Sequence, residues 1–125
     1  MTQEQALHFA DEWIGAFNDH DLDAIMAHYA DELEFYSPFI PLLKFNETGC
    51  ITSKGDLERY FKVGLSTYPD LHFTLHHVFV GIHTLVLYYT SVNGRLANEV
   101  FQLNERGQAQ KVFCHYTLGN YQVAI

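Results

Sequence analysis

Hydrophobic and polar positions change period once along this chain, from helical spacing before Tyr68 to strand alternation after Leu71. Ala6, Phe9, Ala10, Trp13, Ile14 and Phe17 recur at intervals of three and four, which predicts a helix over residues 3–18. Thr2 and Gln5 form a capping box at its start. Asn18-Asp19-His20-Asp21 breaks the pattern. Asp19 or Asp21 then caps a second helix with Leu22, Ile25, Met26 and Tyr29 as its apolar stripe. A short strand is expected at Glu34-Phe35-Tyr36-Ser37, ended by Pro38. Ser53 with Asp56 reads as a second capping box, opening a third helix whose inner face is Leu57, Tyr60, Phe61, Gly64 and Leu65. Tyr68-Pro69-Asp70 stops it.

Between these elements, residues 38–52 hold two prolines and a glycine, together with Phe39, Ile40, Leu42, Leu43 and Phe45. So apolar a loop is expected to cover something, either a pocket mouth or a partner surface. From Leu71 onward, 71–80, 84–92, 95–103 and 110–118 are rich in β-branched and aromatic residues and read as four strands. Asn93-Gly94 is a tight hairpin signal, because the primed two-residue turn needs positive φ at both positions. The expected fold is α+β: three helices in total, packed on one face of a sheet whose last four strands form an antiparallel meander. With no repeat, linker or low-complexity stretch, residues 1–125 are expected to form a single domain.

Composition narrows the class of function. Apolar residues make up 48% of the chain and aromatics 15%, which excludes a disordered polypeptide. No apolar run approaches the roughly 20 residues of a membrane span, and the N-terminus lacks the basic start of a secretion signal, so a soluble, cytoplasmic protein with no membrane partner is expected. Fifteen acids against seven bases give a formal charge of −8, which argues against a nucleic-acid partner. In that setting Cys50 and Cys114 are read as reduced thiols.

The layout resembles the nuclear transport factor 2-like superfamily, specifically its SnoaL-like branch. The stretch from Trp13 through Asn18-Asp19-His20-Asp21-Leu22 to Ile25 carries the resemblance, with Tyr29-Ala30-Asp31-Glu32, Ser37-Pro38-Phe39, Tyr68-Pro69-Asp70-Leu71 and the Asn104-Glu105-Arg106-Gly107 turn. It implies a cone in which a curved mixed or antiparallel sheet wraps the long first helix and leaves a pocket open at one end. It also implies a homodimer formed through the outer sheet face. Activities in such proteins include ketosteroid isomerisation, polyketide cyclisation, dehydration and epoxide hydrolysis, while other members only bind ligands or proteins.

Matched residue by residue, the ketosteroid isomerase pattern is incomplete here. Ser37 stands where that family places its carboxylate base before a Pro-Phe pair, and a serine hydroxyl cannot serve as that base. Trp13 replaces the phenol donor of the first helix, and Glu99 matches the acid of the third long strand. Cys114 stands where SnoaL-type cyclases carry a last-strand acid, and no arginine lies two residues from Glu99 as the epoxide hydrolases require. The standard mechanisms of all three groups are therefore not expected.

Glu99 is the candidate catalytic residue, with Ala97, Phe101 and Leu103 on its strand face. Among apolar neighbours its pKa should rise by desolvation, unless Arg95 or His115 pairs with it. Trp13, Phe17, Phe35, Tyr60, Tyr88, Phe101 and Tyr116 are expected on inward faces, joined by Ser37 and Cys114, as the lining of a ligand pocket. The outward sheet face is expected to carry Leu85, Leu87, Tyr89, Val100, Phe113 and His115. His72 and His76, four apart on a strand, lie roughly 13 Å apart, too far for a shared ion, so neither a metal nor another cofactor is expected. Two functions fit: a domain binding a small hydrophobic cyclic metabolite, with acid–base chemistry through Glu99, or an interaction module that docks a partner through residues 38–52.

Overall fold

The first helix starts at its capping box. In the computed structural model, which describes residues 1–118, α1 (Gln3–Asn18) follows Thr2, whose Oγ1 accepts from the Gln5 amide at 3.1 Å while Gln5 Oε1 accepts from the Thr2 amide at 2.9 Å. Asp21, not Asp19, caps α2 (Leu22–Met26), taking the Ala24 amide on its Oδ1 at 3.1 Å. Tyr29 does not continue the helical stripe. It opens β1 (Tyr29–Tyr36), a strand longer than the expected 34–37. Irregular register against both neighbours hides this strand: Tyr29, Ala30, Leu33 and Phe35 are buried, and a bulge breaks their period of two.

Residues 38–53 contain two elements that the pattern of apolar positions did not announce. A single helical turn, α3 (Phe39–Leu42), makes four helices among the described residues where three were expected. A short strand, β2 (Cys50–Ser53), pairs antiparallel with β1. Then α4 (Lys54–Thr67) begins at Ser53, whose Oγ accepts from the Asp56 amide at 3.1 Å; the reciprocal half of the expected capping box is not formed, the Asp56 carboxylate pairing with Arg59 instead.

The last four strands form the expected meander: β3 (Thr74–Val80), β4 (Thr84–Thr90), β5 (Leu96–Leu103) and β6 (Ala109–Tyr116). At the β4–β5 turn, Asn93 and Gly94 take φ of 58° and 70°, as a primed turn requires, and the Arg95 amide closes it on Val92 O at 3.2 Å. The six strands run in the order β2-β1-β6-β5-β4-β3, with β1 parallel to β6 and every other pair antiparallel. This mixed sheet is not closed into a barrel; β2 and β3 are its edges. The long α1 lies against the inner face, where Phe9 meets Phe101 and Trp13 meets Tyr89 and Phe101.

The phase of β4 differs from expectation by one residue. Leu85, Leu87 and Tyr89 are buried inward, and Tyr88 points outward, its ring stacked on His77 with centroids 5.9 Å apart. Both parities of this strand are apolar, so alternation alone could not choose between them. Cross-strand pairing does: Leu85 lies opposite Phe101, Leu87 opposite Glu99 and Tyr89 opposite Ala97, and opposed residues share a face.

The segment that breaks α1 has a second task. Asn18 Nδ2 donates to Phe73 O at 3.0 Å and Asn18 Oδ1 accepts the Phe73 amide at 2.7 Å, while the His20 ring bonds Leu71 O at 2.9 Å. This clasp ties the end of α1 to the entry of β3 and sets Phe73 against Trp13 and Phe17. Asn18→Ala removes both bonds and should cost about 2 kcal/mol, lowering the melting temperature by about 8 °C. A change of less than 1 °C in thermal melts would show that the clasp contributes nothing.

Candidate functional site

Strand β5 carries one acid on its inner face. Glu99 is only 3% exposed, flanked by Leu87 on β4 and Cys114 on β6. The Tyr89 hydroxyl donates to Glu99 Oε1 at 2.7 Å. Desolvation pushes the carboxyl up to about 7, opposed by hydrogen bonds from Tyr89 and Cys114 that favour its ionised form. Neither Arg95 nor His115 pairs with it. The Arg95 guanidinium sits 6.0 Å over the Phe39 ring, and the His115 ring bonds Asn98 O at 3.2 Å.

Glu99 borders a cavity walled mainly by aromatic side chains. Trp13 and Phe17 of α1, Phe35 of β1, Tyr60 and Phe61 of α4 and Phe73 before β3 form its sides. Trp13 Nε1 donates to the Tyr29 hydroxyl at 3.0 Å, so the single indole N–H is already engaged. Burial pushes the phenols of Tyr29, Tyr60, Tyr89 and Tyr116 and the Cys114 thiol upward, so Glu99 is the group among them that titrates near neutrality. Among the described residues, no lysine, arginine or histidine lines this space.

The apolar loop closes one side. Phe39 and Leu43 line the cavity, Ile40 is fully buried, and Phe45 packs on Tyr60 with centroids 5.7 Å apart. Of its large apolar side chains only Leu42 is exposed. The free volume is about 70 Å³. That is about half the 150 Å³ known to admit benzene in another protein, so an occupant with a ring requires the lining to give. Leu43, Leu65 and Tyr68 line the cavity and are only half-buried, so they are less tightly held than the buried rings.

Trp13, Phe17, Phe35, Tyr60, Glu99, Cys114 and Tyr116 are brought together around this cavity. Ser37 lies behind the lining, buried, with its Oγ accepting the Phe39 amide at 3.2 Å. Phe101 is also buried but packs behind Trp13 against Phe9. Tyr88 is on the opposite face of the sheet, and Tyr89 holds the place expected for it. Sequence reasoning missed Tyr89 because of the β4 phase. It missed Phe73, which the expected strand 71–80 contained, because the residue lies ahead of β3 and is turned inward by its bonds to Asn18, far away in sequence.

A family model described as a SnoaL-like domain matches residues 10–118. Among solved structures, a SnoaL-like protein of unknown function from Burkholderia thailandensis E264 is similar with a TM-score of 0.88 and 38% identity, covering 94% of this chain and 98% of its own. The epoxide hydrolase/cyclase-like enzyme of pyran ring formation in polyether salinomycin gives a TM-score of 0.74 at 15% identity, over 96% of this chain and 97% of its own. A provisionally assigned ketosteroid isomerase from Kribbella flavida gives 0.73 at 16%, over 98% and 84%. The last two show likeness of fold alone. No curated protein matches the sequence.

The buried acid has a pH signature. Below about pH 4.3 Glu99 holds its proton in both folded and unfolded chains, so it costs nothing. Between there and its folded value of about 7, the unfolded chain ionises first and stability falls; above that the penalty levels off. Glu99→Gln should therefore gain on the wild type from pH 4 to 7, by up to about 3 kcal/mol, then hold constant. Paired thermal melts between pH 4 and 8 measure this difference. A mutant that loses stability mainly at neutral pH would mean that ionised Glu99 is favourably paired.

Proposed function

The chain belongs to the SnoaL-like domain family, and on that premise we propose that it binds a small hydrophobic cyclic metabolite in the aromatic cavity, with Glu99 at its polar end. Acid–base chemistry through Glu99, of an isomerase, cyclase or dehydratase type, fits the same site. One observation carries this reading: a carboxyl with no cation beside it among the described residues, buried at the edge of a largely aromatic cavity. Proton transfer is most effective from a group whose pKa lies near the working pH, and a value of about 7 meets that condition. The names carried by the more distant relatives, cyclase-like and isomerase, are compatible with it.

The standard ketosteroid isomerase arrangement is not part of this proposal. Ser37 offers no base and is occupied with the Phe39 amide, and the Trp13 N–H is occupied with Tyr29. The alternative, a partner docked on residues 38–52, finds little support in a loop that turns Phe39, Ile40 and Leu43 inward. We further propose that the protein works in the reducing cytoplasm, where its unpaired thiols Cys50 and Cys114 would persist.

A homodimer is part of the same proposal. The outer sheet face presents Val86, Tyr88, Val100 and Phe113, and Tyr36 stacks on Phe113 with centroids 5.0 Å apart. Leu85, Leu87 and Tyr89 face the core and do not belong to this surface.

Thermal-shift titration against steroids, fatty acids and aromatic polyketides tests the binding proposal. Saturable stabilisation is expected for at least one cyclic compound, weakened at least tenfold by Glu99→Gln. Stabilisation by none of them, or equal stabilisation of the mutant, would contradict it. For the dimer, light scattering at micromolar concentration should give twice 14.4 kDa, reduced to the monomer mass by Phe113→Glu. A monomer mass for the wild type would dismiss the interface.

A further inference from the structure

Among the described residues, the cavity holds one group able to carry charge near neutrality, and that group is an acid. Tyr89 donates to it at 2.7 Å, and the Cys114 thiol is directed at it from β6. Two donors aimed at a carboxyl suit its anionic form, which accepts from both at once. What the anion lacks is a counter-charge. No lysine, arginine or histidine lines the cavity among the described residues, and a carboxylate taken out of water is costly until something neutralises it.

The surrounding rings bear on the same question. Trp13 and Phe73 stack at 5.6 Å, Phe73 meets Tyr89 at 4.8 Å, and Tyr89 is the ring whose hydroxyl holds Glu99. Aromatic faces carry negative charge density and attract cations, most strongly at tryptophan and when water is excluded. Rings and carboxylate together repel an anionic ligand, give a neutral one nothing beyond packing and one hydrogen bond, and attract a cation twice over.

Resting on the reading of this cavity as a binding site, we propose that its occupant carries a basic nitrogen: a small cyclic amine, bound as its ammonium ion, with ionised Glu99 as counter-charge and the rings of Trp13, Phe73 and Tyr89 around it. No covalent step is involved. Where Glu99 is protonated beforehand, ammonium binding releases that proton to solvent. The titratable groups facing Glu99 are Tyr29 of β1, Tyr60 of α4, Tyr89 of β4, and Cys114 and Tyr116 of β6, all pushed upward by burial. None of them changes charge between pH 6 and 8. An aliphatic amine stays protonated across that range, so the pH dependence of binding reports Glu99 alone.

The test is calorimetric titration of the wild type and Glu99→Gln with four probes sharing one ring: cyclohexylamine, cyclohexanol, cyclohexanone and cyclohexanecarboxylate, at pH 6 and 8. Cyclohexylamine should bind at least tenfold more tightly than the alcohol at pH 8, and roughly tenfold more weakly at pH 6, following the ionised fraction of a group titrating near 7. Glu99→Gln should lose that preference and its pH dependence. If the ketone or alcohol binds as well as the amine at both pH values, the amine assignment is wrong and the binding site stands. If the amine binds with no pH dependence and equally to the mutant, Glu99 is not its counter-charge and the assignment is equally wrong. If no probe binds, the amine assignment is wrong, and the thermal-shift panel decides whether the binding proposal falls with it.

Discussion

A carboxyl group without a cation is held inside an aromatic core, and the inner structure is arranged around that constraint. Glu99 is almost wholly withdrawn from bulk solvent, and no basic side chain reaches it among the described residues that line the cavity. Its tolerance rests on Tyr89 and Cys114, one on each flanking strand, and the antiparallel pairing of β4, β5 and β6 is what puts them there. A one-residue slip of β4 would turn Tyr89 to the outer face and take its hydroxyl away from the acid. The polar contact and the sheet register are therefore one feature. Desolvation costs stability at neutral pH, a cost that a merely structural position could avoid with glutamine or leucine.

Access to the acid is set by elements far apart in the chain. Asn18 anchors the entry of β3 and thereby places Phe73 against Trp13, while α3 lays Phe39 and Leu43 across another side. The resulting free volume of about 70 Å³ is too small for a ring without movement. Leu43, Leu65 and Tyr68 are only half-buried, so they are among the lining residues with least packing to lose by moving.

Features satisfied within a few residues were legible in the sequence. Thr2 with Gln5, Asp21, Ser53 and the Asn93-Gly94 turn each complete their hydrogen bonding or backbone geometry locally, and each stands where the residues placed it. Glu99 was legible because it is the one acid within the largely apolar β5. What depended on distant pairing was not. The bulged β1 conceals its period, β4 is apolar on both faces, and the Asn18–Phe73 and Trp13–Tyr29 bonds join residues that nothing in the local pattern relates. The site was thus visible as one acid and a set of rings, while the partner of that acid, Tyr89, emerged only from the register.

The central claim is that Glu99 exchanges its proton near neutrality because burial, without a compensating cation, raises its pKa. Its carboxyl carbon can be followed directly by NMR on protein labelled with carbon-13 at glutamate, the resonance identified by its absence from Glu99→Gln. Titrated from pH 4 to 9, it should move with a midpoint near 7. A midpoint at or below about 4.3, the ordinary value for glutamate, would show an acid already stabilised as its anion and contradict the account.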